Sequence, residues 1–132
     1  MTSDPAGAIR VIDSAIGCQE IPIVESGGNA KVVLWPESGA IYRTFHLISL
    51  TPCGKTVSLS HPSDSVYYVI SGSGVVTDMA AGVTSALIEG AMVHIDRGDT
   101  YRFEADEATG MKILGGPCPA DPELYATLRA SR

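Results

Sequence analysis

The stretch GKTVSLSHPSDSVYYVISGSG, residues 54–74, decides the fold, together with GAMVHIDRGDTYRF, residues 90–103. Both begin on glycine and run through short groups of Val, Ile, Tyr, Thr and Phe, which suit a pleated, half-buried surface. Each is broken by a turn signal, Gly72-Ser73-Gly74 in the first and Arg97-Gly98-Asp99 in the second. Along a strand, side chains alternate between two faces. That period puts Leu59 with His61, Ser65 with Tyr67, Met92 with His94, and Tyr101 with Phe103 on shared faces.

The same rhythm continues outward. Further strands are expected over 9–12, 30–35, 42–50, 56–60, 66–71, 74–79, 83–88, 92–95, 100–104 and 110–114, separated by Pro36-Glu37-Ser38-Gly39, Pro52-Cys53-Gly54 and Ala81-Gly82. Closely spaced strands with hardly any helical pattern between them predict an all-β sandwich or barrel. One helix is expected, at the C-terminal end. Asp121 is placed to cap it, Pro122 suits its first position, and Leu124, Tyr125 and Leu128 are expected on one face, packed on the outside of the barrel. Trp35, next to Pro36, is expected to close a barrel end. The first twenty-five residues predict a strand and a short helical turn.

At 132 residues the chain predicts a single domain, 1–132, with enough apolar side chains for its own core. Nine Lys and Arg against fifteen Asp and Glu leave a formal charge of −6. That balance excludes a nucleic-acid partner, which needs a concentrated positive field. No apolar run reaches the ~20 residues that span a bilayer, and the first residues carry no secretory pattern. Cys18, Cys53 and Cys118 are odd in number and far apart, which fits free thiols and a cytoplasmic location.

With those residues in view, the chain resembles the cupin superfamily, small jelly-roll barrels (double-stranded β-helices of the RmlC-like type) that usually hold a metal on three histidines and a glutamate. The resemblance covers about residues 40–115. Its first motif is Gly, five residues, His-x-His, three or four residues, Glu, six residues, Gly. Aligned on Val69-Ile70-Ser71-Gly72, this motif places Leu59 and His61 at the two histidines and Ser65 at the glutamate. A register ending on Gly74 would instead use His61, Ser63 and Tyr67. The second motif is matched in spacing by Gly90, Asp96, Gly98, Tyr101 and Ala105, with Tyr101 at its histidine. The glycines are kept while most ligands are lost, so the resemblance implies a cupin barrel without the usual metal set.

What remains for chemistry is narrow. His61 and Tyr101 are the candidate catalytic residues, an imidazole suited to proton transfer near neutrality and a phenol able to donate a hydrogen bond or stabilise an enolate-like oxygen. Leu59, Ser65, Tyr67, Met92, His94 and Phe103 are the candidate pocket residues. No cofactor is expected; the alternative is a divalent metal on a rearranged set using His46, His61 and His94. The expected function is small-molecule binding, with metal-independent isomerase, lyase or cyclase chemistry by His and Tyr, as the resemblance allows. The alternatives are a metal-dependent dioxygenase or isomerase and a non-catalytic ligand-sensing or dimerisation module. A homodimer is expected, since small barrels leave edges to cover and the resembling family usually pairs.

Overall fold

The computed structural model describes residues 9–40, 42–126 and 128. Seven strands carry the chain: β1 (Val24–Leu34), β2 (Phe45–Thr56), β3 (Asp64–Asp78), β4 (Val83–Ile88), β5 (Met92–Ile95), β6 (Tyr101–Ala105) and β7 (Met111–Cys118). Every pairing between them is antiparallel. The predicted all-β jelly-roll barrel is the architecture observed.

Two long strands join the two sheets. The first part of β3, through Gly72, pairs with β5 and β7, whereas Ser73 to Asp78 pair with β4 and β6. Strand β2 likewise pairs with β1 and β7 along His46–Leu50 and meets β6 at Lys55. One sheet is therefore β1-β2-β7-β3-β5 and the other β2-β6-β3-β4, closed on each other through these bent strands. Gly72 is the corner of β3. Its φ of 80° lies in the left-handed region, and a Cβ there would run into the carbonyl oxygen of Gly110. The sequence predicts a break between two strands at this glycine; the chain bends there and stays a strand. The apparent turn at Pro52-Cys53-Gly54 is absorbed into β2 in the same way, with Cys53 at φ 65°.

Inward positions fill the barrel. Ile48, Val69, Phe103 and Ile113 are fully buried, and Tyr67 and Met111 nearly so. Phe103 meets Tyr67 edge-on at 4.8 Å between ring centroids, a favoured aromatic geometry.

The ends depart from expectation. Residues 9–12 form no strand; chain direction before β1 is set by a turn and an isolated bridge, Glu20 to Lys31. The expected C-terminal helix is a single 3-10 turn over Pro122–Tyr125, with a helical conformation at Ala126. Asp121 does cap it, its carboxylate accepting from the Glu123 amide at 3.1 Å. The turn does not lie wholly outside. Tyr125 is completely buried, 5.1 Å from the ring of Trp35, because a second face, Asp121 and Tyr125, is directed into the barrel. Among the described residues no helix is long and apolar enough to cross a membrane.

Candidate functional site

His61 and Tyr101 are brought together by backbone. Leu59 and Tyr101 exchange both of their amide bonds at 2.8 Å, and the Gly98 amide donates to the His61 carbonyl at 2.8 Å. Gly98, at φ 85°, turns the chain between β5 and β6 so that this short bridge forms. Period 2 then puts His61 and Tyr101 inward, both almost fully buried.

A line of four side chains results. Asp121 Oδ2 lies 2.7 Å from His61 Nδ1, His61 Nε2 lies 2.8 Å from Tyr101 Oη, and Tyr101 Oη lies 2.6 Å from Tyr67 Oη. One set of protons satisfies all three bonds with a neutral imidazole. A carboxylate only accepts, so Nδ1–H donates to Asp121, Nε2 accepts from Tyr101, and Tyr101 accepts from Tyr67. Burial pushes the Tyr101 phenol up to about 12, the neighbouring Tyr67 and Ser65 hydroxyls opposing that rise and the Asp121 charge adding to it. Tyr67 is raised well above the ordinary phenol value, first by burial and then by Tyr101. Both phenols hold their protons through the neutral range.

The alignment that puts Leu59, His61, Ser65 and Tyr101 at the four motif positions is the one whose residues are all buried. Ser63, required by the other register, sits outside and donates to the Pro119 carbonyl at 2.7 Å. Ser65 Oγ is buried with no hydrogen-bond partner among the described residues. Leu59 and Phe103 are buried beside the line, Phe103 edge-on to both Tyr67 and Tyr101, but neither they nor Ser65 and Tyr67 line the cavity described below. Met92 and His94 share a face, as period 2 requires, but it is the outward one. Met92 is 64% exposed, and the His94 ring lies 3.5 Å from Asp96 and 3.9 Å from Asp64. Both line the cavity described below, from the outer face of β5, while Val93 and Ile95 turn inward on that strand.

These donors do not fit the metal that cupin barrels usually hold. Leu59 has no donor atom, Ser65 offers a neutral hydroxyl, Tyr101 a phenol held protonated, and both nitrogens of His61 are engaged. The alternative set fares no better. His46 and His61 are interior, whereas His94 is on the outer surface. Among the described residues no three His, Cys, Asp or Glu side chains gather as a metal-binding group.

A cavity of about 570 Å³ opens between β3, β4, β5 and the start of β6, within the size range of small-molecule sites. Val76, Leu87, Ala91, Val93 and Ile95 form apolar wall. Tyr101 is in this wall too, while His61 and Asp121 lie behind it. Asp121 is the residue that sequence reasoning assigned only a capping role. No local signal announced its second role, since His61 lies sixty residues away and the two meet only when the last turn docks.

The sequence matches no protein-family model and no curated protein. Solved structures do match. The polyketide cyclase RemF of Streptomyces resistomycificus is 18% identical, with a TM-score of 0.70 over 87% of this chain and 82% of its own. An RmlC-like cupin of Shewanella frigidimarina is 16% identical, with a TM-score of 0.65 over 85% and 93%. Bacillus subtilis oxalate decarboxylase, described with Mn(II) centres, is 20% identical, with a TM-score of 0.69 over 89% of this chain and 32% of that one. These likenesses show the fold, a jelly-roll barrel of the cupin type.

Proposed function

We propose that this protein is a small-molecule cupin enzyme that moves protons without a metal, using Tyr101 and His61 on an enolisable carbonyl compound. The carrying observation is the unbroken line Asp121–His61–Tyr101–Tyr67 with Tyr101 in the cavity wall. In this reading the Tyr101 oxygen takes a proton from the carbon next to the carbonyl as its own proton passes to His61 Nε2. The imidazolium so formed faces the Asp121 carboxylate, the arrangement by which a buried Asp supports a His base in hydrolytic triads. Tyr101, having taken the carbon's proton as it gave its own to His61, is again a neutral phenol beside the enolate and can return a proton to it. Return of the proton at another carbon gives isomerisation; loss of a leaving group or ring closure from the enolate gives lyase or cyclase chemistry. The cyclase named among the structural neighbours agrees with the last of these, as an analogy of fold.

The test is solvent exchange. A panel of ketones and β-dicarbonyl compounds is incubated with protein in D2O, and deuterium incorporation is followed by mass spectrometry. Enzyme-dependent exchange should appear with at least one class and vanish in Tyr101→Phe and His61→Asn. Exchange that survives in Tyr101→Phe sinks the mechanism.

One observation favours a non-catalytic reading: Tyr101 is only 2% exposed, so the line can serve as an interior hydrogen-bond network beneath a binding cavity. A ligand that raises the melting temperature without being turned over would select it. Pairing into a homodimer is part of the proposal. Val66, Tyr68 and Ile70 form an exposed apolar row on the outer face of β3, a surface of the kind that a second copy covers. Light scattering at micromolar concentration decides it, with a monomer counting against it.

A further inference from the structure

The cavity wall carries a charge pattern that narrows its ligand, given the reading that Tyr101 meets its ligand there. Among the described lining residues there is no Lys or Arg. Two carboxylates, Asp78 and Asp99, stand at the wall instead. The Asp78 carboxylate is fixed, accepting from the amides of Ala80 and Ala81 at 3.1 Å each. His94 is the remaining ionisable base at this wall, and its ring faces Asp64 and Asp96, so any charge it gains is already matched. An anion moved into this cavity would give up part of its hydration, find no Lys or Arg at the wall, and meet two like charges at its exposed rim. An apolar body would instead lie against Val76, Leu87, Ala91, Val93 and Ile95.

We infer that the ligand is an uncharged, largely apolar carbonyl or phenolic compound, and that Asp78 and Asp99 exclude carboxylates and phosphate esters. The cavity thus departs from sites built for nucleotide sugars or dicarboxylic acids, whose charge calls for Arg or Lys at the wall. The hydroxyls at the wall, those of Thr77, Ser85, Thr100 and Tyr101, can receive the few polar atoms that such a ligand presents.

Two dyes with one ring skeleton test this. N-phenyl-1-naphthylamine is neutral, and 8-anilinonaphthalene-1-sulfonate adds a sulfonate. Fluorescence titration of the intact protein at pH 7 should show saturable binding of the neutral dye, at least about tenfold tighter than the anionic one, the direction that an unpaired desolvated charge imposes. Ala86→Trp, an exposed position in the wall, should block the neutral dye while the melting temperature shows a folded protein. The pair Asp78→Asn with Asp99→Asn should recover anionic binding. The pair Asp13→Asn with Glu25→Gln, outside the wall and equal in charge change, should not. Equal affinity for the two dyes, neutral binding that survives Ala86→Trp, or equal recovery by the distant pair each overturns the inference. Solvent exchange in Tyr101→Phe reports on the proposed chemistry separately, so a failed mechanism and a failed ligand class leave different signatures.

Discussion

Two histidines are buried in this barrel, and the same C-terminal turn reaches both. Asp121, at its start, holds His61 Nδ1 at 2.7 Å; Tyr125, at its end, holds His46 Nε2 at 2.7 Å. The environments then diverge. His61 has both ring nitrogens bonded, one to a carboxylate and one to the phenol of Tyr101, a residue of the cavity wall. His46 has Nδ1 buried without a hydrogen-bond partner among the described residues, and the Gly116 backbone packs against that side of the ring. Burial, with the nearby His61 adding to it, lowers His46 to about 4. The contrast shows why burial alone does not make a catalytic imidazole. His61 has a carboxylate on one nitrogen and a phenol on the other, whereas His46 has a single phenol partner and is held neutral chiefly by burial.

The largest effect expected on this contrast is at Tyr101. Tyr101→Phe removes the group that joins His61 to the cavity, and turnover should fall by about 10²–10⁴, the usual worth of a positioned acid–base group. The fold should persist, with a loss of about 1–3 kcal/mol for leaving buried partners unsatisfied. Circular dichroism and denaturant midpoints measure the second while turnover measures the first. Retained turnover would place the chemistry elsewhere.

Asp121→Asn comes next. The amide oxygen still accepts from the Glu123 amide, so the cap survives and stability should change by less than about 1 kcal/mol. Asparagine carries no charge to support an imidazolium, however, and its amide permits the opposite tautomer of His61. A loss in kcat of about 10²-fold or more follows, because the positioning carboxylate acts through His61 in the manner of a triad aspartate. The accompanying readout is the split between kcat and KM, since a positioning residue behind His61 should lower kcat with KM little changed. Equal losses of stability and activity would reduce Asp121 to a structural cap.

The third expectation concerns pH and His46. Its folded pKa lies below the unfolded value, so between about 6.5 and about 4 the unfolded chain binds a proton that the folded chain refuses. The stabilising contribution is complete above the unfolded pKa and falls as pH drops through that window. It is gone below about 4, for a total on the order of 3 kcal/mol. Carboxylates titrate in the lower part of the same range, so the measurement is a difference. Urea unfolding of wild type and His46→Gln at several pH values should diverge in slope across this window. Parallel slopes would mean that His46 is not held neutral.

The barrel was legible because its signals are local. Period-2 alternation and glycine spacing determine which residues turn inward, and they placed Leu59, His61, Ser65, Tyr67 and Tyr101 on buried positions. At β5 alternation pairs Met92 with His94 correctly yet cannot say which face is inside; the pair meets the cavity from the outer face of the strand. They also turned Gly72 into a break, since a glycine at positive φ is the same signal for a corner as for a turn. Asp121 was beyond reach for another reason. Its contact with His61 spans sixty residues and depends on how the last turn docks. The cap pattern that named Asp121 in the sequence uses one carboxylate oxygen, Oδ1, and left the other free for His61.

The smallest effect is expected at Tyr125. Tyr125→Phe keeps the ring against Trp35 and removes the hydroxyl beside His46 Nε2. Stability should fall by about 1–3 kcal/mol, since a buried ring nitrogen loses its partner. Turnover should stay within about twofold if the two histidines are separate units, because sites without shared partners behave additively. Their charges do sense each other, as the lowering of His46 by His61 shows. The variant therefore measures whether that coupling reaches the chemistry. Combined with Asp121→Asn, it closes a double-mutant cycle through the two ends of one turn. An interaction energy near zero keeps His46 as a neutral structural ring and His61 as the working one. A drop in turnover matching that of Asp121→Asn would mean that the turn positions both histidines as one device, and the distinction between them would fall.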